Sequence, residues 1–250
     1  RDAQESRGLG DVYKRQELTL RVPGTPALPD EWPARLLARA ARDDIEPGHY
    51  LVLDNPRGTL SGFVFVTDPV LGVVDGPTGL IRFTYAVGIN GDDVEQMLSW
   101  DPLKFAAFVG DRVPLGLSST DREPISADPQ DRALLEEAVG SEGSSIGAMH
   151  ARCLEVDAEG RVDLDPAAAR ALLRAARHRL LHGRSFALLN GETWLLLNPQ
   201  SPTTECASDH IVVPATAALA HELLATFDAV PGIYRLRTAP LEFRVVDPTT

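Results

Sequence analysis

The sequence is poor in lysine, cysteine, methionine and aromatic side chains, and it has no long apolar run. Only Lys14 and Lys104 are lysines among 24 basic residues. Arginine is therefore used almost everywhere, a coding bias that carries no message about guanidinium chemistry. Positive charge is itself scarce: 24 Lys and Arg face 36 Asp and Glu, for a formal net charge of -12. Neutralising phosphates needs the opposite balance, so nucleic acid is excluded as an expected partner. Two cysteines, Cys153 and Cys206, make neither a disulfide framework nor a C-x-x-C site, and they fit a reducing compartment; cytoplasm is the expectation. Apolar runs such as Leu195 to Leu197 fall far short of the roughly 18 residues a membrane helix needs, so no membrane partner is expected.

What is present is a chain of 250 residues, 44% of them hydrophobic, enough to bury roughly 70–75% of the unfolded surface in one large domain or two ordinary ones. Residues 1–16 show neither helical nor strand periodicity and read as a disordered, non-native scar, with the native amino terminus missing and the first domain truncated at its start. The segment holds four basic and three acidic residues, so the remainder still carries -13.

From Glu17 the pattern becomes regular. Leu18, Leu20 and Val22 alternate with polar residues as in a half-buried strand. Trp32-Pro33 opens a helix to about Ile45, with Leu36, Leu37, Ala40 and Ala41 on one side. Strands are expected at 50–53, 62–67 and 80–89. Helices follow to Trp100, from Asp101-Pro102 with Leu103, Ala106, Ala107 and Phe108 inward, and from Asp128-Pro129 to a stop at Gly140, with Leu134, Leu135 and Ala138 inward. A strand through Cys153 (148–156) and another at 162–164 flank the turn Asp157-Ala158-Glu159-Gly160, where composition shifts; the domains are placed at 17–160 and 161–250. The second carries a helix from Asp165-Pro166 to His182, a hairpin about Asn190-Gly191, a strand at 211–213, a helix at 215–227 and strands at 233–237 and 241–246. The expected class is α+β: two mixed α/β domains with mainly antiparallel sheets flanked by helices.

No set of residues assembles into a catalytic motif. His178 and His182 have two-ligand helical spacing but no third ligand and no H-E-x-x-H, so a helix-end role is preferred to a metal. The acidic turn 157–165 lacks the closing Glu of a calcium loop. Gly143-Ser144-Ser145-Ile146-Gly147 is offset by one from a nucleophile elbow and reads as a loop. Gly88-Ile89-Asn90-Gly91 lacks a phosphate-loop ending. No cofactor and no metal is expected. An enzyme stays open as the alternative: a hydrolase in which His150, His178, His182 or His210 meets a nucleophile and a carboxylate in space.

An ordered series of short motifs resembles the suppressor of fused family: Glu17-Leu18-Thr19-Leu20-Arg21, Trp32-Pro33, Thr67-Asp68-Pro69, Gly79 to Phe83 with Gly88, Trp100 with Phe105, Thr120-Asp121-Arg122, Asp128-Pro129 and Gly143-Ser144. Arg179-Leu180-Leu181-His182-Gly183-Arg184 with Phe186 resembles the start of that family's second domain. The resemblance implies a non-enzymatic binding module that captures a peptide or protein as an added strand in the cleft between domains, as the animal member holds a segment of Gli transcription factors. Bacterial relatives imply a toxin-immunity protein. The family's peptide-contacting aromatic falls here at Asp43, and its acidic contact near His49 and Tyr50. The implied partner-binding residues are Asp43, Asp44, Glu46, His49, Tyr50, Arg184 and Phe186. Asp43, Asp44 and Glu46 form either an acidic rim for a basic partner, such as a toxin, or a solvated helix end.

Overall fold

The computed structural model describes residues 13–24, 31–43, 45–77 and 79–247. They form two compact units: one runs to Met97 and takes in Pro102–Ala133, the other comprises Leu98–Asp101 and Leu134 onward. The units part at Ala133/Leu134, and the 157–160 turn lies inside the second. The short excursion 98–101 belongs to the second unit for a chemical reason. Leu98 O accepts from Ser144 Oγ, Trp100 O accepts from Ser145 N–H, and the Trp100 indole donates to Glu142 at 2.6 Å.

The first unit is built on a five-stranded sheet of β1 (Tyr13–Thr19), β2 (Tyr50–Arg57), β3 (Leu60–Thr67), β4 (Val73–Gly76) and β5 (Gly79–Asn90). The order is β1-β5-β3-β2, with β4 also paired to β5; β1 runs parallel to β5, and the other pairs are antiparallel. The ladder at β1 starts at Tyr13, so residues 13–16 lie in a strand; the disorder expected for 1–12 falls outside the described residues. Helix α1 (Trp32–Ala40) accepts proline in its first turn, where no N–H is needed. It lays Leu36 and Ala40 on Leu60, Phe63, Phe65 and Ala86. Burying each large apolar side chain there stabilises by about 1.5–3 kcal/mol.

Two helix faces are rotated relative to the sequence pattern. After α2 (Asp93–Ser99), in α3 (Pro102–Gly110) Phe105, Ala106 and Val109 are buried while Leu103 and Ala107 are exposed. In α4 (Pro129–Glu142) Leu135 and Val139 are buried while Leu134 is exposed. Neighbouring apolar residues on a helix are about 100° apart, and only the docking partner decides which one turns inward. Gly140 lies inside α4; the stop is Gly143, with φ of +67° and its N–H on Val139 O.

The second unit has two sheets. Strands β6 (Ala148–His150), β9 (Phe186–Asn190), β10 (Thr193–Asn198), β11 (Glu205–Cys206) and β12 (His210–Pro214) form one, ordered β11-β12-β10-β9-β6. Strands β7 (Leu154–Val156), β8 (Arg161–Leu164), β13 (Gly232–Arg235) and β14 (Glu242–Val245) form the other, ordered β13-β14-β8-β7. Helices α5 (Pro166–His178) and α6 (Ala217–Thr226) share one core with both sheets, around Leu172, Leu188, Leu223 and Phe243. Asp165 caps α5 by accepting from Ala167 and Ala168 N–H at 2.8 and 2.9 Å. Its other oxygen takes the N–H groups of Arg152 and Cys153. Those contacts turn 152–153 away from the ladder, so the single strand expected over 148–156 is two, and Cys153 sits half-buried between them. The α+β class holds, and most strand pairs are antiparallel, although each sheet also contains a parallel pair.

Candidate functional site

The chain leaving α1 builds an acidic corner in the first unit. Ala41 N–H closes on Leu37 O at 2.8 Å and Asp43 N–H on Ala40 O at 3.1 Å, so the helix unwinds through a tight turn. Ile45 then drops its side chain onto the Phe63/Phe65 core. Gln16 donates to Ile45 O and to Thr84 Oγ1, tying β1, the turn and β5 together. Next, Gly48 N–H donates to Phe65 O, and His49 O accepts from Phe65 N–H, which delivers Tyr50 into β2 opposite Val64.

Between β1 and the flank of α1 lies a groove of about 490 Å³, lined by Gln16, Glu17 and Leu18 from the strand, Leu37, Ala38 and Ala41 from the helix, and Asp43 and Ile45 from the turn. Among the described residues β1 pairs with β5 alone, so the strand beside this groove is a sheet edge. Small residues on the helix flank and two carboxylates at the rim give an acidic channel with an apolar floor. It offers peptide-bond groups and shape, and no nucleophile.

The residues implied by the resemblance fare differently. Asp43 is exposed and lines the groove. Asp44 lies outside the described residues. Glu46 is turned onto Arg82, at 2.6 Å, so its charge is largely offset within the unit. His49 is exposed; its Nδ1 accepts from Glu46 N–H at 3.1 Å, which leaves the proton of the neutral ring on Nε2. Tyr50 is half-buried at the start of β2. Arg184 and Phe186 belong to the second unit. Arg184 is exposed and donates to Ser144 O, whereas Phe186 is 3% exposed and fills the core with Leu188 and Leu195. The ring of Phe186 has a packing role. Neither Glu17 nor Ala38 was expected at the site, although Glu17 stands as the polar member of the first alternating strand and opens the first family motif.

A second cluster explains several of the quoted motifs. Asp68 is 1% exposed, and its carboxylate accepts from Thr19 Oγ1 (2.7 Å), Arg21 Nη2 (2.6 Å) and the N–H groups of Val70 and Leu71 (2.8 and 3.1 Å). Burial pushes its pKa up, but these four donors outweigh burial and hold it at about 2. The Arg21 guanidinium lies 4.3 Å from the centre of the Tyr85 ring, and the Tyr85 hydroxyl donates to Gly116 O. This network is a structural joint rather than a site.

The histidines weighed for a hydrolase are scattered in role. His210 stacks on Trp194 at 4.5 Å with its Nδ1 on Asp209. His178 ends α5, where burial and the charges of Arg177, His182 and Arg174 lower its pKa to about 4. Ser144 Oγ, the serine of the G-S-S-I-G loop, is buried and committed to Leu98 O. Among the described residues no three His, Cys, Asp or Glu side chains are grouped to hold a metal, and no helix is long and apolar enough to cross a membrane.

Geometry and topology thus define a class: a two-unit α+β protein with an acidic groove beside an open strand edge. The particular likeness is to suppressor of fused. The crystal structure of Drosophila Suppressor of Fused superposes with a TM-score of 0.66, covering 92% of this chain and 77% of that one at 18% identity. A structure of the Sufu-Fu complex covers 45% of this chain and 53% of its own at 24% identity, with a TM-score of 0.37. No protein-family model matches the sequence, and no curated protein does. The chain has the suppressor of fused fold.

Proposed function

We propose that this protein is a binding module, not an enzyme, and that it captures an extended segment of a partner protein along the β1 edge, beside α1. The observation that carries the reading is the 490 Å³ groove running next to a strand that pairs on one side only among the described residues. Strand addition takes its affinity from main-chain hydrogen bonds and its selectivity from pockets between side chains. Leu37, Ala38 and Ala41 leave room for a side chain, and Glu17 with Asp43 favours a basic one. The suppressor of fused fold, the stacking of His210 on Trp194 and the commitment of Ser144 Oγ to Leu98 O support binding over catalysis. The biological setting we propose is cytoplasmic neutralisation of a basic toxin, which co-expression with the product of a neighbouring gene examines directly.

The groove is tested with peptides selected against the full chain from a random display library. Ala38→Arg fills the groove from an exposed helix position, and Asp43→Lys reverses its rim. Selected peptides should be enriched in basic residues, and either substitution should weaken them at least about ten-fold, equivalent to about 1.4 kcal/mol. Peptides that bind both variants as tightly as the native chain would place capture elsewhere. Turnover of any substrate that vanishes with one histidine or serine would replace the binding reading by the hydrolase.

A further inference from the structure

The second unit carries a surface of the opposite sign. From Pro166 to Gly191 the sequence contains five arginines (Arg170, Arg174, Arg177, Arg179, Arg184), two histidines (His178, His182) and no carboxylate, in a chain of net charge -12. The fold gathers the last of them where α5 ends. Arg179, 9% exposed, donates from Nε to Ser185 O and from Nη1 to Ser144 O, both at 2.7 Å; Arg184, exposed, donates to the same Ser144 O at 3.1 Å. Two guanidinium groups therefore converge on one neutral carbonyl, and no carboxylate pairs with Arg177, Arg179 or Arg184 among the described residues. Burial and the charge of Arg184 both lower the pKa of Arg179, and the neighbours that act on His178 are all cationic.

The carbonyl end of α5 accounts for Arg177, which lies in its last turn. It does not account for Arg184, which lies past the helix and past Gly183. Nor does it account for Leu181, a large apolar side chain left 39% exposed between the arginines.

We propose that the end of α5 and the turn 179–184 form a docking surface for an acidic polypeptide segment, whose carboxylates pair with Arg177 and Arg184 and whose apolar side chain covers Leu181. Charge complementarity selects the occupant: neither Arg177 nor Arg184 pairs with a carboxylate among the described residues, and carboxylate with guanidinium is the preferred bidentate match. The apolar residue between them favours a polypeptide over a small anion. This surface lies wholly in the second unit and does not depend on strand capture in the first.

The probe is a fluorescein-labelled peptide of about 12 residues alternating glutamate and leucine, read by anisotropy on the full chain at low salt, where screening is weak. A lysine–leucine counterpart and inorganic phosphate serve as comparison arms. The acidic peptide should bind, and Arg177→Ala with Arg184→Ala should weaken it about ten-fold at unchanged circular dichroism. Arg177→Glu with Arg184→Glu should shift preference to the lysine peptide, Leu181→Ala should weaken binding several-fold, and Arg35→Ala in the first unit should leave it unchanged. No binding by the native chain, equal binding by the double alanine variant, or full displacement by millimolar phosphate would overturn the proposal, the last by assigning the arginines to a small anion.

Discussion

Replacing Asp68 by Asn probes the joint that holds β1 to the rest of the first sheet. The native carboxylate takes four donors while 1% exposed, and its pKa of about 2 lies below the ordinary 3.8. A depressed folded-state pKa means the contribution is complete above about pH 4 and is lost as pH falls towards 2. Multiplying the shift by about 1.4 kcal/mol per unit gives about 2 kcal/mol for that loss. The Asn side chain keeps the volume but turns an amide NH2 towards N–H donors and leaves Arg21, whose Nη1 already lacks a partner in the interior, without its counter-charge. Stripping one member of such a pair costs about 3–5 kcal/mol when fully buried; with the Arg21 side chain 20% exposed, about 2–4 kcal/mol is expected at pH 7. The assay is a urea titration of both proteins at several pH values, with hydrogen exchange of β5 amides as a reading confined to the first unit. The variant should be weaker at neutral pH, and the gap should narrow by about 2 kcal/mol in acid. A variant as stable as the native chain at pH 7, or a gap that does not change with pH, would refute the reasoning.

Four other perturbations have definite signs. His178 has a folded pKa of about 4 against 6.5, so its neutral form favours the fold; stability should be complete above about pH 6.5 and fall by about 1–3 kcal/mol towards pH 4, and His178→Gln should flatten that part of the melting profile. Gly140→Ala, at an open position inside α4, should raise the urea midpoint by about 0.5–1 kcal/mol of stability. Gly143→Ala, three residues on, should cost well over about 2 kcal/mol, because φ is +67° and the new carbon would meet His178 O at 2.4 Å. Asp165→Ala removes the acceptor of four main-chain N–H groups at once, and a loss of about 2–4 kcal/mol is expected in the same titration.

Signals carried by neighbouring residues were legible. The Asp165-Pro166 cap, the Asn190-Gly191 hairpin and the long strand β5 all sit where the sequence puts them, because each is decided by residues near in the chain. What was not legible depends on distant partners. The strand β4 is four residues long and exists through its pairing with β5, and β11 has two residues paired to β12. Which of Leu134 and Leu135 faces inward is set by what α4 docks on. At the candidate site, Asp43 could be found from the end of a helix, but the partner that offsets Glu46 is Arg82, on another strand. The burial of Phe186 was readable in its alternation with Leu188, a strand signal outweighed by its place in a motif.

The motifs that carry the resemblance turn out to be joints of the fold. Thr19, Arg21 and Asp68 close one hydrogen-bonded cluster; Gly88 donates to Ser118 Oγ at a place where a Cβ would lie 2.7 Å from that oxygen; Arg122 holds Gly88 O and Asn90; Ser144 O receives the buried Arg179. Each position pairs a buried polar group or a close approach with a specific donor, and a buried donor left unmade costs about 1–3 kcal/mol. Such positions constrain residue identity whatever the protein binds. The residues most easily recognised in this sequence therefore say little about its partner. Selectivity has to be sought where joints are absent, on surfaces such as the Asp43 groove and the exposed Arg177 and Arg184 at the end of α5.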